Sequence, residues 1–326
     1  MSASDRYVRQ TVLPEIGPQG QARLNAAAVL VVGAGGLGCA LLPYLVAAGV
    51  GRLVIVDHDR VEESNLHRQP LYRMSDIGHL KVEAARAALL ALNPAVTIEI
   101  RAERLTAANA ATRVADMQTV VDAADSLAVT YVLSDACAAQ RTALVSASVL
   151  GLSGYVGAFC GGAASYRAVF PDMPRQAGTC AAAGVLGTAV GVMGTLQAHL
   201  TLALLLGWQP SPLGRLISVD FRTLHVGGFS FAGAAEPAGE PLAFIMPGEV
   251  SASDVVIDLR SHAEAPQSPF PGALRLDVEE LERAGLEVPG QPRIVLCCRS
   301  GVRAWRAARA LQGQGHARVA LIALQE

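Results

Sequence analysis

The sequence predicts an α/β protein of two parts: a doubly wound domain built on parallel strands, then a smaller α/β domain. Three observations carry this reading. Ala28-Val29-Leu30-Val31-Val32 is a short apolar, β-branched run, the composition of a buried parallel strand, and Leu53-Val54-Ile55-Val56 repeats it after one helix length. Between them the chain breaks into Gly33-Ala34-Gly35-Gly36-Leu37-Gly38, where glycines let the backbone approach an anion and the next helix offers its free N–H groups. From Gly227 to Pro247 the chain turns rich in Gly, Ala and Pro without a period, and strand and helix signals resume beyond it. The first two observations make a Rossmann-like βαβ nucleotide site, although they do not identify the nucleotide.

In chain order, Arg6-Tyr7-Val8-Arg9-Gln10 opens a lead-in segment ending at Leu24. The glycine turn gives way to an apolar helix through Leu45 and Ala48, and the second strand ends on Asp57, where an acid can accept ribose hydroxyls. Asp57 to Gln69 is too polar for an element interior and is expected to drape over the turn as a loop. Lys81–Leu92 has the spacing of an amphipathic helix stopped by Asn93-Pro94. Val96–Ile100 and Thr119–Val121 are expected strands, the second running into Asp122-Ala123-Ala124-Asp125. Ligands sit at such carboxyl ends in doubly wound folds. A helix over Ala128–Ala139 and a strand over Leu144–Ala147 follow, then a β-rich stretch from Gly154 to Phe170 turning at Gly161-Gly162. Pro171–Thr179 is a Pro/Gly crossover that delivers Cys180.

Ala181–Leu206 contains no charged residue and has the length of a membrane span. Gly184, Gly187, Gly191, Gly194, Gln197 and His199 dilute it and no basic cluster flanks it, so a buried helix is expected instead. Strands over Leu216–Phe221 and Thr223–Val226 close the first domain, residues 1–230; 231–247 is the linker and 248–326 the second domain. There, Val255–Arg260 is a strand, Pro271-Gly272-Ala273 a turn, Leu276–Leu286 a short helix and Arg293–Cys297 a strand. Arg299-Ser300-Gly301-Val302-Arg303 then opens a helix to Leu311.

Composition narrows the function. With 52% hydrophobic and 17% charged residues, large-scale disorder is excluded. A formal net charge of -2 gives no electrostatic reason to expect nucleic acid or an anionic membrane as partner. The N-terminus lacks the basic-then-apolar layout of a signal peptide, and Cys39, Cys137, Cys160, Cys180, Cys297 and Cys298 have no framework spacing. Both fit a reduced cytoplasm.

A lone G-x-G-x-x-G is shared with many dinucleotide oxidoreductases. What narrows this site is the polar set on the following loops: Arg68 and Lys81 as cations beside a phosphate-binding turn, and Asp125 as an acid at a neighbouring strand end. Cations neutralise charge on a reacting phosphate and an acid can hold magnesium, whereas hydride transfer needs neither cation there. Cys180, just before an apolar helix, occupies a position that favours thiolate. Cys298 leads a loop whose N–H groups and two arginines, Arg299 and Arg303, would stabilise an anion. Cys39, Cys137 and Cys160 fall on apolar elements and are expected in the core.

These motifs resemble the MoeB/ThiF adenylyltransferases, bacterial relatives of the ubiquitin-activating enzymes. The match runs through Arg6-Tyr7-x-Arg9-Gln10, Gly33-x-Gly35-Gly36-x-Gly38, Asp57-x-Asp59-x-Val61-Glu62-x-Ser64-Asn65-Leu66-x-Arg68-Gln69, Lys81-Val82, Asp122-x-x-Asp125 and Cys180-x-x-x-Gly184. The resemblance implies that ATP adenylates the C-terminal glycine of a small ubiquitin-like sulfur carrier ending in Gly-Gly, with release of pyrophosphate. It implies that Gly36 and Asp57 hold the nucleotide, that Ser64, Asn65, Arg68 and Lys81 grip the phosphates, and that Asp125 positions Mg2+ and the α-phosphate. It further implies a homodimer in which Arg9 reaches the partner's ATP, and a covalent role for Cys180. Ser126 stands where the family usually has asparagine, and the family's first C-x-x-C pair is replaced by Ser165-Tyr166-Arg167-Ala168, so no structural zinc is expected.

With Asp258-x-Arg260 and Pro271-Gly272-Ala273 upstream, the Cys298 loop resembles that of a rhodanese sulfurtransferase, one residue shorter than the loop of cysteine phosphatases. This implies a persulfide on Cys298 and a sulfur donor such as a cysteine desulfurase. The resemblance also implies a shortened rhodanese-like domain. Two alternatives remain open at this point: an ATP-dependent tRNA-modifying dehydratase of the same superfamily, which would want a basic surface, and a non-catalytic carrier-binding module.

Overall fold

The computed structural model of the chain describes residues 6–174, 184–286 and 288–324. Its larger sheet has eight strands: β1 (Ala28–Val32), β2 (Arg52–Val56), β3 (Thr97–Arg101), β4 (Thr119–Asp122), β5 (Ala143–Leu150), β6 (Ser153–Cys160), β7 (Arg215–Asp220) and β8 (His225–Ser230). They lie in the order β3-β2-β1-β4-β5-β6-β7-β8. β1 to β5 pair in parallel, and β6, β7 and β8 extend the sheet antiparallel. Every residue of β1 and β4 is buried, as expected of central strands covered on both faces. Chain order reverses between β1 and β4, so the turns leaving these two strands open into one crevice.

The long apolar segment is a helix over Gly187–Leu206 that packs on β4, β5, β6 and the helix Gly36–Ala47. By length and composition it could cross a membrane, yet Ala189, Met193, Gln197 and Thr201 along it are buried within the domain. Gly194 sits where a Cβ would lie 2.6 Å from the Leu37 carbonyl oxygen, so the two helices meet at backbone distance. The buried Gln197 donates Nε2–H to the backbone carbonyl of Asp122 (2.7 Å) and ties this helix to the end of β4.

One element is added and three local expectations are corrected. A helix over Ala107–Val114 stands between β3 and β4; Asn109 Oδ1 accepts the Thr106 N–H at its start (2.8 Å). The β-rich stretch ends at Cys160: after the Gly161-Gly162 turn, Ser165 caps a short helix, Tyr166–Val169, by accepting the Ala168 N–H. The strand expected over Thr223–Val226 begins only at His225. Asp220 Oδ1 accepts the Arg222 and Thr223 N–H groups (2.8 and 3.2 Å) and Leu224 adopts a φ of +58°, which spends residues 221–224 on the turn. Within the segment expected to be linker, β9 (Ala243–Phe244) belongs to the second sheet.

That second sheet is wholly parallel, in the order β11-β10-β12-β13-β9, with β10 (Val255–Asp258), β11 (Leu274–Arg275), β12 (Ile294–Cys298) and β13 (Val319–Ala323). Helices Val278–Ala284 and Val302–Gly313 accompany it. It docks on the first domain through a shared apolar core. Trp305, 1% exposed, packs against Tyr131 with ring centroids 4.8 Å apart. Arg167 lies over both rings, forms a two-pronged ion pair with Asp135 (2.6 and 2.8 Å), and donates to the Leu242 carbonyl. Arg309 reaches back to Asp172 (2.7 Å) and the Pro171 carbonyl. Where the zinc ligand pair would begin, Ser165 gives both its N–H and its Oγ–H to the Glu236 carboxylate (2.7 and 2.6 Å).

Candidate active site

A cavity of about 1000 Å³ opens at the β1/β4 switch point. Its floor is the glycine turn. Gly33 has a φ of +103°, and a Cβ there would lie 2.4 Å from the Ala123 carbonyl oxygen, so only glycine lets the turns after β1 and β4 touch. Gly35 faces the cavity with space above it, Gly36 lies against Val190, and a Cβ on Gly38 would strike the Gly33 carbonyl at 2.2 Å. Gly38 therefore seats the helix on the turn rather than lining the cavity.

Asp57 braces that turn. Its Oδ2 accepts the Ala34 N–H (2.7 Å) and its Oδ1 accepts the Asp59 N–H (2.8 Å), leaving further lone pairs toward the cavity. Tyr72, missed in the sequence, donates its hydroxyl to the Ala34 carbonyl (2.6 Å). Burial drives its phenol strongly upward, so it remains a donor. Lys81 begins its helix almost fully buried, its ammonium 2.8 Å from Asp59 Oδ2. Burial opposes ionisation of Asp59, but the Lys81 hydrogen bond and charge outweigh it and hold this carboxyl below its usual range. Arg68 donates to the Ser64 carbonyl (3.1 Å), and Asn65 is buried with its Nδ2 on Ser64 Oγ (3.3 Å).

At the end of β4, Asp125 lies exposed on the cavity wall beside Ser126. Asp122, by contrast, is fully buried and accepts hydrogen bonds from Thr130 Oγ1 (2.7 Å) and Ser146 Oγ (2.8 Å). Burial raises its pKa to about 6 against the lowering effect of those donors, and the Asp125 charge adds to the rise.

Gly33, Gly35, Gly36, Asp57, Asn65, Arg68, Lys81, Asp125 and Ser126 thus line one cavity. Ser64 supports it from outside the lining. Arg9 stands exposed on the short helix Val8–Thr11, away from the cavity. Cys180 lies outside the described residues. The segment Glu103–Thr106 after β3, which no sequence signal singled out, also contributes lining.

These residues suit a nucleoside triphosphate: a glycine turn open to an anion, two cations and an acid. Asp125 offers the hard oxygen that magnesium takes, and Asp57, His58 and Asp59 carry ligand atoms within 4.8 Å of one another. Among the described residues, Cys39, Cys160 and Cys297 are buried with thiols pushed up to about 12 by burial, and Cys137 is raised further. Such neutral thiols are core filler rather than reagents.

Cys298 differs. It ends β12 with its Sγ accepting N–H groups from Gly301 (3.2 Å) and Ala304 (3.4 Å), and Gly301 holds a φ of +86° to make that turn. The thiol is buried beneath the loop. Arg303 donates to the Leu259 carbonyl and forms a two-pronged pair with Glu264, whose carboxyl it pulls down to about 2. Arg260, Glu264, Arg299 and Leu324 line a small cavity of about 80 Å³ on this side.

Comparison with known proteins agrees with both halves. The ThiF family matches residues 7–238 and the Rhodanese-like domain matches residues 247–323. The chain is 50% identical over 218 residues to "Adenylyltransferase and sulfurtransferase MOCS3" of Bos taurus, covering 66% of this chain and 48% of that protein. It therefore spans about half the length of the curated relatives of this kind that it matches. It is 43% identical over 240 residues to "Sulfur carrier protein adenylyltransferase" of Thermus thermophilus, covering 68% of this chain and 87% of that protein. In fold it resembles the crystal structure of E. coli MccB, with a TM-score of 0.63 at 20% identity over 71% of each chain. The chain belongs to the ThiF family and carries a rhodanese-like domain behind its ThiF domain.

Proposed function

We propose that this chain uses ATP to adenylate the C-terminal glycine of a small ubiquitin-like sulfur carrier, and that its rhodanese-like domain then supplies sulfur to give a thiocarboxylate. The observation that carries this reading is a single cavity that gathers the glycine turn, Arg68, Lys81 and Asp125 and extends to residues of the second domain.

In the first step the glycine carboxylate attacks the α-phosphorus of ATP, an oxygen–phosphorus bond forms, and the α–β bond breaks to release pyrophosphate. Arg68 and Lys81 would neutralise the charge moving onto the leaving group, Asp57 would hold the ribose, and Asp125 would hold Mg2+ against the α-phosphate. The Lys81–Asp59 pair fixes the cation before substrate arrives. Arg9, on an exposed helix flanked by exposed Val8 and Val12, supports a contact with the partner subunit of a homodimer.

In the second step the outer sulfur of a Cys298 persulfide, loaded by a donor such as a cysteine desulfurase, attacks the acyl carbon and AMP leaves. A Cys180 thiolate attacking Cys298 Sγ of the resulting acyl disulfide would release the thiocarboxylate and leave a Cys180–Cys298 disulfide, to be reduced by an external thiol. The Gly301 and Ala304 N–H groups on Cys298 Sγ suit a sulfur that carries negative charge.

Carrier-dependent ATP–pyrophosphate exchange tests the first step. Exchange with a carrier ending in Gly-Gly, lost in Asp125→Ala, is expected; tight ATP binding without exchange on any carrier overturns it. Thiocarboxylate made at the wild-type rate by Cys298→Ala with a physiological sulfur donor overturns the second step.

A further inference from the structure

We propose that the second domain is also part of the adenylation site, with Met246 and Leu324 forming the wall that positions the carrier's glycine tail. This rests on the adenylation reading above and assigns residues to it.

At about 1000 Å³ the cavity stands at the top of the range for a pocket that holds one small ligand, so a nucleotide seated on the glycine turn leaves space beyond it. That remaining wall comes from elsewhere in the chain. Phe244 ends the edge strand β9 with Met246 and Pro247 just beyond it, and Ala323 ends β13 with Leu324 just beyond it. These side chains carry no charge. They line the same cavity as Tyr155, Tyr166 and Phe170 of the first domain, an apolar lining that suits an extended backbone without side chains.

Leu324 also lines the small cavity beside the Cys298 loop and donates its N–H to the Cys298 carbonyl (2.9 Å). One residue therefore touches both the adenylation cavity and the strand end that bears the sulfur-loop cysteine. A tail held against it is activated within reach of the sulfur step and need not leave the molecule between the two. Docking of the second domain through Trp305, Arg309 and Asp172 fixes this wall in place.

The test is exchange kinetics on the full chain, using the Gly-Gly carrier that supports exchange in the wild type. Met246→Trp and Leu324→Trp narrow the slot at half-buried positions. Both are expected to raise the carrier KM about tenfold or more while ATP affinity by calorimetry stays within about twofold. Met246→Ala, which widens the slot, is expected to let a carrier ending in Ala-Gly gain on the Gly-Gly carrier. Unchanged carrier KM in both tryptophan variants, with normal wild-type exchange, overturns the wall alone. Absence of exchange in the wild type with every carrier removes the adenylation reading beneath it.

Discussion

Asp122 shows how one buried acid couples the fold to pH. Its carboxyl is raised to about 6 by burial, whereas the unfolded chain releases that proton near 3.8. Between those values the folded state binds more protons than the unfolded one, so this group's contribution to stability falls as pH rises. The difference amounts to about 2 kcal/mol between pH 4 and pH 7. Asp122→Asn is therefore expected to flatten the pH dependence of denaturant unfolding over that range; a parallel pH profile for both proteins refutes it. At this scale the sequence was informative about type but not about partner. Arg68, Lys81 and Asp125 were visible as charges on loops beside a glycine turn. That Lys81 is buried against Asp59, and that Tyr72 braces Ala34, depends on how residues 57–81 fold back, which local spacing does not encode.

At the scale of elements, the glycine turn is the tightest constraint. Gly38→Ala would push a methyl group into the Gly33 carbonyl, a backbone atom that moves only if β1 and its helix separate. Overpacking of that kind costs about 1–3 kcal/mol. A lower unfolding midpoint is expected, together with ATP binding weakened by about tenfold or more in calorimetry; wild-type ATP affinity in a folded Gly38→Ala protein sinks the argument. The strands and helices around this turn were legible because buried parallel strands carry near-continuous Val, Ile and Leu. The helix Ala107–Val114 was not, since it buries only Ala110 and Val114 and its clearest mark is the return of Asn109 to Thr106. The hairpin to β8 slipped for a similar reason: an aspartate side chain, not an apolar pattern, sets where the strand restarts.

For the whole molecule, the sequence announced two domains separated by a Gly/Ala/Pro-rich stretch, and nothing in it revealed how closely they meet. The contact is made by Tyr131, Arg167 and the Trp305/Arg309 pair, three places far apart in the chain whose residue types read locally as ordinary helix positions. Removal of the Trp305 ring leaves a cavity between the domains and strands Arg167 without one of its two aromatic faces. Large-to-small changes at such sites cost about 3–5 kcal/mol. Trp305→Ala is expected to split a single calorimetric unfolding transition into two, the first belonging to the second domain. One coincident transition, merely shifted, would mean that the domains stay coupled without the Trp305 ring.

The chain has two tryptophans, Trp208 and Trp305. Trp305 sits dry at the domain seam, beside a tyrosine ring and under two arginines. A Trp208→Phe protein consequently carries its own optical gauge of domain separation. Short-wavelength emission marks the closed seam, and a shift to longer wavelength marks water at the indole.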